Sequence, residues 1–293
     1  MAHGTPATTS EIAPFFTRIR RGRPPTPEQL ADLEARYSAI GGVSPLALRT
    51  AAQVDALRAE LEARAPGRYV VSFGAKHTDP LIEESAALLS GTGLERVIGL
   101  VLTPHGSSLG SQEYLDRAEA ALGPTPFVPV PPWYAHRSLV TLLAARVQDA
   151  LRVVTGRTKV IFTAHSLPER IRETGDTYAE QLTESARLVA TAAGLDEWLV
   201  AWQSAGRTPE PWLGPDVRDV VRDLAAERLA DTVVVCPVGF VTDHLEVLYD
   251  LDVELASVAA AVGLGYTRTA SLNDDPAFIA TLADLIIATD GAP

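Results

Sequence analysis

The sequence predicts an α/β fold in which parallel sheets are covered by helices, arranged as two similar halves. Short apolar β-type runs alternate with amphipathic helical stretches along the whole chain, the pattern of parallel strands joined by crossover helices. A strand-end histidine followed by a small residue recurs three times, in MAHGTP at the start, LTPHGSS after the run at 97 and TAHSLP after the run at 160. Gly and Ser recur in turns for reasons of their own, so duplication and turn chemistry both account for this echo. The proline-rich PVPPWY at 129–134 marks the expected boundary, giving an N-terminal lobe over 1–132 and a C-terminal lobe over 133–293.

In chain order, helices are expected over 10–21, 27–38, 45–63 and 80–90. The last three open on a proline, which suits a first helical turn. The β-type run YVVSF at 69–73 precedes the fourth helix, and VIGLVLT at 97–103 follows it. A helix over 111–122, the short run FVPV at 127–130 and a helix over 136–154 complete the first half and enter the second. Strands are then expected at 160–163, 199–202, 232–236 and 265–269, separated by helices over 178–193, 217–230 and 243–262 and closed by a helix over 276–287. Ligands in such folds sit beyond the carboxyl ends of the strands.

Composition excludes several classes. The chain has 293 residues, a net charge of −12 and a pI near 5.0, which argues against nonspecific nucleic-acid binding. Cys236 is the sole cysteine, so an internal disulfide, a cysteine-rich zinc site and a cysteine-ligated iron–sulfur cluster are excluded. The start MAHGTPATTSEIAPFF lacks a basic region followed by an apolar one, and no run approaches the ~18 apolar residues of a membrane span. A cytoplasmic protein is expected.

The most informative stretch is 233–254, VVVCPVGFVTDHLEVLYDLDVE. A buried strand runs into a helix carrying Glu246, Asp250 and Glu254 four residues apart, one column on one helix face. Like charges at that spacing repel on an otherwise apolar helix, which makes sense if a cation runs along them. Carboxylates are hard ligands for divalent metals. Asp243 with Glu246 also reads as a capping box, and a solvated acidic face is the plain reading of the other two. The run KVIFTAHSLPER at 159–170 ends a strand in His165, a candidate ligand and base. Arg18, Arg20, Arg21 and Arg23 lie beside Phe15, Phe16 and Ile19. Arginines recognise carboxylates, so this cluster suits a flat apolar ligand with carboxylates at its rim, or else a solvated helix face. The loop WQSAGRTPEPWLGPD at 202–216 is stiff and shaped. His105 could face the same cleft, His77 reads as a helix-entry residue and His136 as a cap.

These residues resemble the ferrochelatase family, enzymes that insert ferrous iron into a porphyrin. The resemblance covers essentially the whole chain. It is carried by FTAHSLPERI at 162–171, WQSAGRTPEPWLGPD at 202–216 and CPVGFVTDHLEVLYDLD at 236–252, with TRIRRGRPPTPEQL at 17–30 and RYSAIGGVSPLA at 36–47. The pattern looks most like the enzymes of monoderm (Gram-positive) bacteria, which use coproporphyrin III rather than protoporphyrin IX. It implies two Rossmann-like lobes with a porphyrin cleft between them. His165 falls on the family's catalytic histidine and Glu246 on its catalytic glutamate, together the usual iron ligands, with Asp250 and Glu254 continuing an acidic metal path. Arg20, Arg36, Tyr37, Ser44 and Tyr114 align with porphyrin-contacting positions. His3 stands where the coproporphyrin-type enzymes often place a tyrosine below the metal. That role does not carry over, and a histidine there is a candidate axial ligand. Family members also carry a strand ahead of the MAHGTP-type turn, so a truncated first strand or a late start is expected here.

Metalation exchanges two pyrrole protons for one Fe²⁺. The resemblance therefore implies a cleft that bends the ring, at a cost of order ~1–5 kcal/mol drawn from rim binding, a base and metal ligands. Iron is a substrate, no organic cofactor is implied, and the expected partners are a porphyrin and ferrous iron, handled by a monomer. A protoporphyrin IX ferrochelatase and a cobalt or sirohydrochlorin chelatase are alternatives within this chemistry. A noncatalytic haem carrier is the alternative of another class.

Overall fold

The computed structural model describes residues 1–291. Two separate parallel sheets carry the fold. In the first half, β1 (Val97–Gly99) pairs with β2 (Phe127–Pro129). In the second, the order is β4-β3-β5-β6, with β3 (Thr158–His165) central between β4 (Trp198–Gln203) and β5 (Thr232–Cys236), and β6 (Gly265–Arg268) at the edge. Every residue of β5 is buried, as expected for a strand covered on both faces.

Helices wrap these sheets. The first half contributes α1 (Ile12–Ile19), α2 (Pro27–Ala39), α3 (Leu46–Arg64), α4 (Ile82–Leu89) and α5 (Ser111–Leu122). α2 begins at a capping box in which Thr26 Oγ1 accepts from Gln29 N–H and Gln29 returns to the Thr26 amide, with Pro27 in the first turn. The second half contributes α6 (Arg137–Arg152), α7 (Tyr178–Ala193), α8 (Val217–Ala226), α9 (Leu245–Val247), α10 (Ala256–Ala261) and α11 (Pro276–Asp290). The last helix packs on α3 and α6, and its Asp284 and Asp290 pair with Arg64 and Arg68. One apolar core, including Leu57, Leu100, Leu143, Phe162, Cys236 and Phe278, runs through both halves.

The structure corrects three expectations. The run 69–73 is extended but enters no sheet, because pairing at its inner edge begins only at Gly74, where Ala2 N–H donates to its carbonyl. The run 97–103 holds a ladder only over Val97–Gly99. The helix expected over 243–262 begins later and is not uniform. Between α9 and α10, Leu248–Leu255 is π-helical, a wider coil often found at functional sites. Asp243 is not its cap: that carboxylate accepts from Ser271 Oγ at 2.6 Å and Asn273 Nδ2 at 2.8 Å, while His244 takes the N-cap position without a side-chain bond.

Candidate active site

The C-terminal end of β3 presents His165, and the loop after β5 brings Glu246 to it. His165 Nε2 lies 3.3 Å from Glu246 Oε1, and His244 Nε2 lies 3.6 Å from Glu246 Oε2. Gly239 makes this approach possible. A Cβ there would come within 2.3 Å of Ala164 Cβ, and its N–H donates to Thr163 O, so the turn can pass directly over the end of β3 only as glycine.

Hydrogen bonds to backbone carbonyls hold both residues in place. Tyr178 OH donates to His165 O at 3.0 Å, and the His165 ring contacts Ser166 O through Nδ1. Gln203, beside His165 in the β3–β4 register, donates to Glu246 O at 2.9 Å and accepts from Thr163 Oγ1 at 2.8 Å. The 202–216 loop is tied down over this region. Ser166 Oγ donates to Leu213 O, Leu213 N–H to Leu167 O and Glu169 N–H to Pro211 O.

The electrostatics make His165 and Glu246 an ion pair. Burial alone would lower the imidazole, but the Glu246 charge and hydrogen bond outweigh it and push His165 up to about 9. Burial would raise Glu246, yet His165 and then His244 hold it well below the usual carboxylate range. The unliganded pair is imidazolium and carboxylate at neutral pH, so an incoming cation competes with a proton on Nε2.

Each carboxylate of the acidic column is paired, Glu246 with His165, Asp250 with Arg36 and Glu254 with Arg218. Asp250 is buried, accepts from Ser204 Oγ and faces Arg36 Nη1 at 3.9 Å. Glu254 pairs with Arg218 at 3.2 Å, which also binds Asp216 at 2.8 Å. Burial and then the nearby Glu246 charge push Asp250 up to about 6, against the Ser204 bond and Arg36. Among the described residues, no group of three or more His, Cys, Asp or Glu side chains converges as a metal cage.

The sign of this shift gives an expected result. A carboxyl bound more tightly to its proton in the folded state than in the unfolded state favours folding at low pH, and that advantage is lost as pH rises through about 6. Asp250→Asn mimics the protonated form. It should melt higher than the parent at pH 8, by about 1–3 kcal/mol of stability, and equally near pH 4. A lower melting point at pH 8 would mean that the Arg36 pairing outweighs burial.

Of the remaining expected residues, Tyr37 and Tyr114 are buried, and both phenols are raised, first by burial and also by the Glu246 charge. Tyr37 OH is 3.4 Å from Thr5 Oγ1. Arg36 lies over the Tyr249 ring at 5.2 Å and within 3.2 Å of Asp32. Ser44 is buried, and its Oγ accepts from Leu46 N–H at the start of α3. Arg20 lies over Phe16 at 5.5 Å and makes no contact with the histidine–glutamate pair. His3 packs on His77, ring centroids 4.7 Å apart. His3 is shifted below the usual imidazole value, with the Glu246 charge opposing, and burial then His3 push His77 down to about 3. His105 is buried, stacked on Tyr134 at 5.5 Å and edge-on to Tyr178. His136 holds the N-cap position of α6 without a side-chain bond.

Sequence reasoning missed two residues beside the His165–Glu246 pair, His244 and Gln203, and two beside His3 and Tyr114, His77 and Lys76. His77 reads in the sequence as a helix-entry residue, yet its ring packs on His3. Lys76 is buried, 2.8 Å from Glu113 and over the Tyr114 ring at 5.0 Å. His244 lies two positions before Glu246 in TDHLE and was visible there. Gln203 had only its place in the 202–216 motif as a signal.

Comparison with known proteins places the chain. The family described as Ferrochelatase matches residues 1–290. The coproporphyrin III ferrochelatase of Halalkalibacterium halodurans is 43% identical over 292 residues, covering 98% of this chain and 94% of that protein. Those of Bacillus subtilis and Geobacillus kaustophilus are 42% and 41% identical, each over 98% of this chain and over 95% and 93% of their own lengths. Among solved structures, CbiX, described as the terminal enzyme for biosynthesis of siroheme in denitrifying bacteria, aligns with a TM-score of 0.52 at 17% identity, over 83% of this chain and 93% of that one. That likeness concerns the fold.

Proposed function

This chain belongs to the ferrochelatase family, and from that premise we propose that it inserts Fe²⁺ into coproporphyrin III with release of two protons, as a step of haem biosynthesis. The observation that carries this reading is the His165–Glu246 pair at 3.3 Å, held at a strand end and flanked by His244.

In the proposed reaction, the porphyrin lies in the cleft between the 1–132 and 133–293 lobes, its rim carboxylates toward Arg20 and its neighbours. Tyr37, Ser44, Tyr114 and Arg36 would contact the ring or its rim, with His3 on the face opposite His165. His165 delivers its Nε2 proton outward when the metal arrives and then, as a neutral imidazole, accepts a pyrrole proton or presents the metal. Glu246 shares the metal or the proton. Asp250, whose carboxyl is raised to about 6, and Glu254 would feed the cation inward or carry released protons outward along the π-helical face. Support for this path comes from the shared face of the three carboxylates and from the cationic partners Arg36 and Arg218, which hold the outer two without removing their charge. The reaction needs no organic cofactor and no cluster.

The proposed setting is the cytoplasm, with the chain working as a monomer. No helix among the described residues is long and apolar enough to cross a membrane. The deciding assay is anaerobic Fe²⁺ insertion with coproporphyrin III and protoporphyrin IX side by side. Coproporphyrin bears a propionate on every pyrrole ring and protoporphyrin on only half of them, so arginine-rich rim contacts favour the former. Equal or higher kcat/KM with protoporphyrin IX would overturn the substrate assignment, and insertion into neither would overturn the activity.

Arg20→Ala should raise the KM for coproporphyrin by about tenfold with kcat nearly unchanged, since a rim contact is made equally in ground and transition states. A large fall in kcat at saturating porphyrin would put Arg20 nearer the metal step.

A further inference from the structure

Gln53 stands on α3, in the first half of the chain, and its side-chain amide reaches into the second half. Nε2 donates to Thr242 Oγ1 at 2.9 Å and to Asn273 O at 2.7 Å. A carbonyl can only accept, so the nitrogen of the amide and not its oxygen faces Asn273. The side chain is buried, with 1% of its surface exposed. Taking an amide out of water is costly unless it is bonded, so these two contacts are what make this residue tolerable inside the protein.

Both acceptors belong to the turn that leads into Glu246. Asn273 clasps that turn: its N–H donates to Val241 O at 2.8 Å, its Oδ1 accepts from Asp243 N–H at 2.9 Å and its Nδ2 donates to Asp243 Oδ2 at 2.8 Å. It does so at a φ of 47°, in the left-handed region that asparagine adopts more readily than most residues. Thr242 O lies 2.9 Å from His244 Nδ1. That carbonyl too can only accept, so Nδ1 carries the hydrogen, and the other ring nitrogen lies 3.6 Å from Glu246 Oε2. Glu246 is therefore flanked by two buried amides, Gln203 on its own backbone carbonyl and Gln53 on the turn ahead of it.

From this chain of contacts we propose that Gln53 is a positioning residue for the metal step: through it α3 fixes the 241–244 turn and so sets where His244 and Glu246 stand opposite His165. This role presupposes that His165 and Glu246 hold the metal, as proposed above. α3 suits the task because its start is tied to the porphyrin side. Ser44, assigned above to the ring or its rim, accepts from Leu46 N–H in the first turn of the helix. Arg49, one turn before Gln53, reaches Asp274 at 3.5 Å, next to Asn273. α3 is an unbroken helix from Leu46 to Arg64, and a helix transmits position rigidly over two turns. A ring seated against Ser44 and a metal held at Glu246 are thus both referred to one helix.

The test compares Gln53→Met, which keeps the volume and removes both donors, with Val189→Ala, which opens a cavity in the core on α7. Each is measured for melting, for Zn²⁺ affinity without porphyrin, and for Fe²⁺ insertion into coproporphyrin III well below the melting temperature. Gln53→Met should weaken Zn²⁺ binding and lower kcat, each by about tenfold, and leave the porphyrin KM within about twofold of the parent. Val189→Ala should melt lower and leave both unchanged. A Gln53→Met protein that melts lower yet binds Zn²⁺ and turns over like the parent has lost a structural tie only, and overturns the proposal. A rise in the porphyrin KM alone overturns it as well. Thr242→Val removes one acceptor with little change of shape and decides the matter should Gln53→Met not fold. It should weaken Zn²⁺ binding by about threefold, and unchanged affinity overturns the proposal. Weaker Zn²⁺ binding in the variants of a parent that inserts iron into neither porphyrin would uphold the role of Gln53 and remove the activity assigned to the site.

Discussion

His165→Ala is expected to lower Fe²⁺ insertion by about 10²–10⁴-fold while the protein still folds. The imidazole is the group at the end of β3 that Glu246 meets at 3.3 Å, and the neighbouring His244 is farther from the carboxylate, at 3.6 Å. The stability of the variant should report the ion pair separately. His165 is raised from 6.5 to about 9, so its contribution is complete below about 6.5 and lost as pH rises through 9. Glu246 is lowered below 4.5, so its contribution is complete above 4.5 and lost as pH falls through its lowered value. The difference in melting temperature between parent and variant should therefore be widest between about pH 4.5 and 6.5 and shrink toward pH 9. Turnover above a small fraction of the parent would remove His165 from the centre of the reaction, whatever the melting curves show.

Glu246→Gln should be comparably damaging and distinguishable. Removing the carboxylate charge takes away the main influence that holds His165 up to about 9. Burial then governs the ring, which should titrate well below that value. A divalent probe such as Zn²⁺, titrated in the absence of porphyrin, should compete with a proton up to about pH 9 in the parent and only at lower pH in the variant. Chelation should fall by about 10²-fold or more as a metal or proton acceptor is lost. Haem or porphyrin binding should persist. A variant that retains insertion would point to a noncatalytic role for Glu246, and one that loses porphyrin binding to a structural one.

The strands of the second half were the most legible part of the fold. The expected 232–236 coincides with Thr232–Cys236, and 160–163 and 199–202 lie within Thr158–His165 and Trp198–Gln203. These are short continuous apolar runs buried on both faces, where composition and environment agree. The run YVVSF at 69–73 has the same composition and forms no ladder, since a strand exists only with a neighbour and pairing on this edge begins at Gly74, whose carbonyl accepts from Ala2 N–H. The four-residue spacing of Glu246, Asp250 and Glu254 put them on one face without revealing that Leu248–Leu255 is π-helical, because both coils bring positions four apart near each other.

By itself the sequence determined the α/β class, the strand that ends in His165, the helix that carries Glu246 and the family to which the chain belongs. These are local patterns or long motifs, written in consecutive residues. The tertiary structure decided the rest through contacts between distant segments. Arg36 reaches Asp250 and Arg218 reaches Glu254, turning a repulsive column into paired charges. His77 moves from a helix entry to the side of His3, and Lys76 is buried against Tyr114. The protonation of His165 was likewise undecided until Glu246 stood 3.3 Å away. A pKa or a neutralised charge depends on distance in space and on burial, and neither can be read from spacing along a chain.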